Sequence, residues 1–269
     1  MFKDYYDNMR PGPTPERVLA ICRIVNGGKY SANEIRRICQ LKACDLEDNA
    51  PMEEGIGKAI SAAEELGLIS RDSAGIYHFD KSEDVISHHV SFRRFVQNTA
   101  LSNRSSTFFK VTEWYIAQNE KVFAINKFQD LSAEIIKAGL DRVDENDVLG
   151  WRFWMRFLGI AYQYNKTLIP NMNVRIQDAL QEVPRGTEMA CAEMVEWIRT
   201  NMPEAASSCS MNGLSLAVSN GLRTLAEEEK IEIISTPDAA KVGLYYLDGA
   251  ELNDFSKIRI KEAVYDKVD

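Results

Sequence analysis

Two segments of the chain share the same order of apolar and polar positions. In each, an amphipathic helical run leads into a short β-type run, a polar tip and a second β-type run. The first copy covers residues 55–79, with its polar tip at 71–75, and the second covers 214–247, with its tip at 236–238. Apolar residues at helical spacing, followed by two short apolar runs around a polar turn, predict a helix and a β-hairpin at both places.

The residues before the first copy predict two further helices. Pro15 suits the first position of a helix that Gly27-Gly28 ends. Ser31 and Glu34 have the capping-box spacing at the start of a second helix. Three helices followed by a hairpin are typical of a winged helix, a helix-turn-helix variant whose third helix is the recognition helix and whose hairpin is the wing. We therefore predict a winged-helix domain at residues 12–82.

The second copy is preceded by helical patterns at 176–183 and 188–200, so we predict a second winged-helix domain at 173–250. Between the two lies a segment, 83–172, that we predict to be an all-helical middle domain. Its stretch 151–162 is the most aromatic of the chain, and we interpret it as core because its aromatic side chains surround the helix. The tail, 251–269, is expected to form a final helix or strand. The predicted fold class is mostly α (α+β).

Composition limits the kinds of partner. The formal net charge is −8, whereas proteins that coat DNA without specificity are normally basic. A local basic face can still sit on an acidic molecule, and the acidic balance also favours a surface that meets protein. The chain shows no apolar leader and no uncharged run of membrane-spanning length, so we expect a soluble cytoplasmic protein without membrane contact.

Cysteine usage agrees with a reducing compartment. The five cysteines are scattered, without a Cys-x-x-Cys pair. We interpret Cys22 and Cys39 as core thiols on apolar helix faces.

Residue patterns for catalysis are missing. The three histidines are His78, His88 and His89, and the adjacent pair lacks the four-residue spacing of a helical metal site. The sequence has no phosphate loop, nucleophile elbow or zinc-protease motif, and Gly55-Ile56-Gly57 opens a helix without the third glycine of a dinucleotide site. The acidic cluster at 141–147 is interpreted as a solvated loop or cap. We predict a protein that is not an enzyme and has neither cofactor nor metal.

Candidate DNA contacts are distributed unequally. The exposed face predicted for the first recognition helix is mostly acidic (Glu53, Glu54, Lys58, Ser61 and Glu65), whereas that of the second is neutral to basic and rich in hydrogen-bonding groups. We therefore expect the second domain to read DNA and the first to dock protein. The candidate DNA-binding residues are Ser215, Ser219, Asn220, Arg223, Thr224 and Lys241 in the second domain, with Arg36, Arg37 and Lys58 in the first.

Several of these segments resemble one family. The run 214–225 with Ile231-Glu232-Ile233 and Pro237-Asp238-Ala239, the central 154–161, and the helix 15–25 with 65–69 are similar to DpdG-type proteins. These belong to bacterial gene islands that install deazaguanine bases in DNA and restrict foreign DNA. The resemblance implies a non-enzymatic accessory subunit that acts beside helicase or nuclease partners in anti-phage defence. Together with the predicted winged helices, we expect double-stranded DNA as a partner and a helicase, nuclease or SMC-like ATPase of the same system as a protein partner. It transfers no active site.

Two other functions stay open from the sequence alone. One is a structural partner of an SMC-like, chromosome-organising ATPase, which the acidic charge favours. The other is a transcription regulator, which would need a ligand cavity in the aromatic stretch 151–162. A contiguous basic face through Arg223 would favour DNA, and an exposed apolar stripe would favour protein docking.

Overall fold

The computed structural model describes residues 1–3, 9–39, 54–125, 127–165 and 167–261, with the backbone alone at Glu54 and Phe128. Cys44, Glu53 and the tail after Lys261 lie outside these residues. The chain forms two compact units, Met1–Phe109 with Leu131–Phe157, and Lys110–Asp130 with Leu158–Asp269. About 52% of the chain is helix and 14% is strand in small antiparallel sheets, which confirms the mostly α fold class.

The first unit opens with three helices and three short strands. Thr14 accepts a hydrogen bond from the Arg17 amide, and Pro15 takes the first helical position, as the sequence predicts. The sheet has the order β1-β3-β2 with antiparallel pairs. The elements are α1 (Pro15–Asn26), β1 (Tyr30–Ser31), α2 (Ala32–Cys39), α3 (Glu54–Glu65), β2 (Ile69–Arg71) and β3 (Ile76–Phe79).

The remaining helices of the first unit complete its core. Trp151 and Trp154 are fully buried, and the Trp154 indole donates to the Pro13 carbonyl at 2.8 Å. The ring of Phe2 meets Trp154 edge-on with centroids 4.9 Å apart. Core packing is thereby confirmed for Trp151 and Trp154, whereas Tyr162, at the end of the predicted stretch, is 46% exposed and lies in a strand. The helices are α4 (Asp84–Ser87), α5 (His89–Ala100), α6 (Thr107–Ala117), which continues into the second unit, α7 (Phe128–Lys137), which begins in it, and α8 (Glu145–Phe157).

The second unit combines a hairpin, helices and a second three-stranded sheet. Its elements include the 3-10 helices Asn119–Ala124 and Pro203–Ser208, and the three-stranded sheet has the order β6-β10-β7. The other elements are β4 (Ala161–Tyr164), β5 (Thr167–Pro170), α9 (Asn173–Leu180), β6 (Glu188–Ala190), α10 (Cys191–Asn201), α11 (Leu216–Glu227), β7 (Ile231–Ile234), β8 (Val242–Gly243), β9 (Asp254–Phe255) and β10 (Lys257–Ile260).

The strand that returns to β7 differs from the prediction. The sequence predicts a hairpin between β7 and the run 242–247, but β7 pairs with β10 in the tail, and β8 pairs with β9 instead. The alternation of buried and exposed side chains along β10 explains its pairing with β7. Ile258 and Ile260 enter the core, while Arg259 points outward and bridges Glu188 and Glu232. The tail therefore supplies the central strand of the sheet.

The predicted middle segment is not all helical. Residues 161–170 form the antiparallel β4–β5 hairpin, with Tyr162 opposite Ile169. The two compact units divide the segment 83–172 between them. Among the described residues, no helix combines the length and the apolar character needed to cross a membrane.

Candidate nucleic-acid interface

The predicted DNA-reading face of α11 lies inside the second unit. Ser215 is 2% exposed, Ser219 is 0% exposed and Arg223 is 8% exposed. A side chain with so little solvent contact cannot reach a phosphate or a base edge without rearrangement of the protein. The prediction that these three residues form an exposed face is therefore wrong.

Arg223 and Ser219 instead hold the segment between β8 and β9. The Arg223 guanidinium donates to the carbonyls of Leu252 and Tyr245 at 2.8–3.0 Å. The Ser219 hydroxyl accepts from the Tyr245 amide at 2.8 Å. Burial lowers the pKa of Arg223 from its ordinary value. Three hydrogen bonds to carbonyl oxygens offset part of the lost hydration, while Nη1 of Arg223 is buried without a hydrogen-bond partner among the described residues. These polar residues thus stabilise a loop from within.

The two other candidates on α11 are also engaged. The Asn220 amide donates to the Pro170 carbonyl at 2.9 Å, and the Thr224 hydroxyl accepts from the Asn171 side chain at 3.1 Å. Both contacts tie α11 to the end of β5. Both side chains are half-buried and committed within the protein.

Close packing on more than one side explains why α11 is enclosed. It contacts α9, β5 and β7. At Gly221, an added Cβ would lie 2.8 Å from backbone atoms of Met172 and Asn173, so α11 approaches the start of α9 backbone to backbone. The small residues Ala217 and Gly221, four positions apart, are the sequence signal of this second packed face.

The other candidates have different surroundings. Lys241 forms an ion pair with Asp254 at 3.4 Å and has a side-chain exposure of 31%. Arg36 is buried at 4% exposure, so its inclusion in an exposed basic strip is wrong, whereas Arg37, next to it on α2, is exposed. Lys58 is half-buried on α3 and lines a cavity.

This cavity of the first unit, about 710 Å³, has a basic lining that sequence analysis missed. It lies where residues 10–12 meet the first turn of α3. An added Cβ on Gly12 would lie 3.2 Å from the Gly55 Cα, so the two backbones are nearly in contact. The glycines at 55 and 57 are visible in the sequence, but their spacing gives no link to the arginines near Pro11-Gly12-Pro13. The lining residues are Arg10, Pro11, Gly12, Arg17, Gly55, Lys58 and Asn146.

Arg10 is oriented by two carboxylates at the start of α8. Its guanidinium donates to both Asp144 oxygens at 2.6–2.9 Å and lies 3.8 Å from Asp147. Burial raises the pKa of Asp144, but hydrogen bonds from the Asp147 amide and from Arg10 outweigh it and bring the pKa below its ordinary value. The pKa of Asp147 is raised, because burial outweighs the hydrogen bond from the Asp144 amide and the charge of Arg10.

The acidic cluster at 141–147 is predicted to be a loop or a cap, and at Asp144 and Asp147 it forms the N-terminal cap of α8. Asp144 accepts from the Asp147 amide at 2.9 Å, and Asp147 accepts from the Asp144 amide at 3.2 Å. This reciprocal pair satisfies amide groups that the first turn of α8 leaves without helical partners. Asp147 also accepts from the Met9 amide at 2.7 Å, so the same cap positions Arg10 beside the cavity.

The described histidine and cysteine side chains have different surroundings. His78 pairs with Asp72 at 2.9 Å in the β2–β3 hairpin, while His88 and His89 are exposed. Burial raises the pKa of Cys22 to about 12, which fits a core thiol, whereas Cys39, also predicted as core, is exposed at the end of α2. In the described part of the chain, no three His, Cys, Asp or Glu side chains cluster as metal ligands.

Comparison with known proteins identifies one family. The family model described as DpdG-like matches residues 8–239, which is most of the chain. No curated protein and no solved structure matches.

Proposed function

The chain belongs to the DpdG-like family, and from this premise we propose that it is a non-enzymatic accessory subunit of a deazaguanine DNA-modification and restriction system. In this role it binds double-stranded DNA, bridges DNA to a nuclease, helicase or ATPase of the same system, or both. The family match over residues 8–239 carries the proposal, since it associates the chain with that modification system.

The arrangement of the first unit supports a winged-helix interpretation. Its elements follow the order α1-β1-α2-α3-β2-β3, and the last strand lies at the centre of the sheet β1-β3-β2. In the second unit, β6, α10, α11, β7 and β10 follow the same order, and β10 is again central. We interpret both as winged helices, with α3 and α11 in the place of the recognition helix.

The exposure of side chains supports assigning DNA contact to the first unit. Ser61 of α3 and Arg37 of α2 are exposed and Lys58 is half-buried, while Glu64 of α3 is exposed and carries the opposite charge. On α11, Ser215, Ser219 and Arg223 are buried, and the half-buried Asn220 and Thr224 are hydrogen-bonded within the protein. We therefore reverse our sequence-based division of roles and assign DNA contact to the first unit.

A salt titration tests DNA binding. Fluorescence anisotropy with a labelled duplex should show affinity that falls steeply with salt, because each phosphate contact contributes a slope of about −0.9 to log Kobs against log salt. Arg37→Glu should weaken binding about three- to tenfold and make this slope shallower by about 1.

Lys137→Glu is the matched control, since it makes the same charge change on an exposed residue of α7. Absence of binding at low salt would contradict the DNA-binding part of the proposal. If Arg37→Glu and Lys137→Glu lose the same amount of duplex affinity, the effect comes from the net charge of the protein and not from a contact made by Arg37.

A protein-docking role without DNA contact is the second candidate, and exposed tyrosines favour it. Tyr162, Tyr164 and Tyr246, all in the second unit, are 46%, 69% and 71% exposed. Tyrosine is enriched in protein interfaces. If duplex binding is absent, co-purification with the proteins of the same system should persist and should fall in Tyr164→Ser/Tyr246→Ser. No observation favours the transcription regulator. That function would need a ligand cavity in the aromatic stretch, but Trp151 and Trp154 are core residues.

A further inference from the structure

The cavity of the first unit has the charge of an anion site. Among the described residues that line it, Arg10, Arg17 and Lys58 are cationic and none is acidic. Its volume of about 710 Å³ lies within the range of about 300–1,000 Å³ that is usual for small-molecule sites. Asp144 offsets the charge of Arg10. The two other cations of the lining, Arg17 and Lys58, and the volume fit an anionic ligand of nucleotide size.

The cationic groups are positioned by the fold. Arg10 is held by Asp144, and Arg17 donates to the Gly12 carbonyl at 3.2 Å. Because Gly12 and Gly55 have no side chains, their backbones approach each other closely at this point of the cavity wall, beside the side chain of Lys58. A guanidinium fixed in this way loses little rotational freedom when a phosphate binds.

The first turn of α3 adds to the positive electrostatic potential of the cavity. Gly55 lines the cavity and is the second residue of this twelve-residue helix. Amide groups at a helix start attract anions, and arginine and lysine are the residues that most often bind phosphate oxygens. Here the helix start reinforces a site that the cavity and its cations already define.

We propose that this cavity binds the phosphate group of a nucleotide, either as a free nucleotide or as part of a DNA strand. Arg17 and Lys58 supply the charge, Arg10 adds a guanidinium oriented by Asp144, and Asn146 supplies a hydrogen-bonding side chain in the lining. The proposal goes beyond DNA binding through Arg37, because a free mononucleotide would also satisfy it.

Isothermal titration calorimetry on the full chain tests the site with dTMP, thymidine and a short DNA duplex as probes. We expect dTMP to bind and thymidine, which lacks the phosphate, not to bind at the same concentrations. Arg17→Gln/Lys58→Gln should weaken dTMP binding at least about tenfold, since two charged hydrogen-bond donors are lost. Lys58→Arg should retain binding, and the exposed Lys137→Gln should leave it within about twofold.

The source of the phosphate follows from competition. If the duplex displaces dTMP, the site binds backbone phosphate, and if it does not, the site binds free nucleotide. Failure of both dTMP and duplex to bind the folded wild type overturns the proposal, as does unchanged binding by Arg17→Gln/Lys58→Gln. Duplex binding that falls in Arg37→Glu but not in Arg17→Gln/Lys58→Gln would overturn this site while leaving the proposed function in place.

Discussion

Helices α3 and α11 have the same apolar pattern but opposite surroundings. Both are twelve residues long and both precede a short strand. Ser61 of α3 is exposed, and its hydroxyl donates to the Gly57 carbonyl of its own helix. Ser219 of α11 is fully buried and accepts from the Tyr245 amide. The difference teaches that polar residues opposite an apolar stripe are not a free surface when a second set of elements packs there.

The largest effect is expected at a buried ion pair of the second unit. Arg175 of α9 pairs with Glu204 at 2.8 Å, with side-chain exposures of 4% and 0%. Arg175→Met would leave the Glu204 carboxylate buried without its cation, so we expect a loss of about 3–5 kcal/mol of unfolding free energy. Urea denaturation measures this loss. The double variant Arg175→Met/Glu204→Gln should recover part of the loss, and a double variant as unstable as the single one would argue against the ion-pair explanation.

Arg223→Ala is expected to have the next largest effect. It removes hydrogen bonds to Leu252 and Tyr245 and should cost about 2–3 kcal/mol, since hydrogen bonds from a charged group are worth about 1.5–3 kcal/mol. Arg37→Ala, at an exposed position of α2, is the matched control and should change stability by less than about 0.5 kcal/mol. If the two variants unfolded at the same urea concentration as the wild type, α11 would not be enclosed as described.

The serine pair sharpens the comparison further. Ser219→Ala leaves the Tyr245 amide without its acceptor and should cost about 1–2 kcal/mol, whereas Ser61→Ala should be neutral within about 0.5 kcal/mol. Thermal unfolding of the two variants side by side measures the difference. If Ser219→Ala and Ser61→Ala had equal melting temperatures, the Ser219 hydroxyl would be as hydrated as that of Ser61, and α11 would not be enclosed.

The smallest effect concerns pH in the second sheet. Hydrogen bonds from Lys257 and Arg259 hold the pKa of Glu188 below its ordinary value. The stabilisation is therefore present above the ordinary glutamate pKa of about 4.3 and is lost as the pH falls through the lower value in the folded state. Glu188→Gln should lower the melting temperature slightly at neutral pH and leave it unchanged in acid. A difference from wild type that is the same at both pH values would exclude the charge interaction.

Local features of the fold could be predicted from the chain because their signals are local. Thr14 and Pro15 start α1, and the helical periodicity of α3 and α11 sets their apolar faces. The return strand was missed because a strand pairs over any distance in the sequence, and Ile258 and Ile260 carry the same alternation as the nearer run at 242–247.

The candidate site was predicted less well, for a related reason. Lys58 was identified because it lies on the polar side of α3, but Arg10 and Arg17 lie in another part of the chain and approach it only through the contact of Gly12 with Gly55. Nothing in the spacing of these residues along the sequence indicates that they line one cavity.

The sequence by itself determined the mostly α class, the positions of the capped helices, the aromatic core around Trp154 and the relationship to the DpdG-like family. Each of these depends on residues that are neighbours in the chain or on similarity along it. Only the tertiary structure decided that Arg223 faces a loop while Arg17 and Lys58 line a cavity. The physical reason is that amphipathic periodicity specifies which side of a helix must be buried, but the elements packed around the helix decide whether the other side meets water.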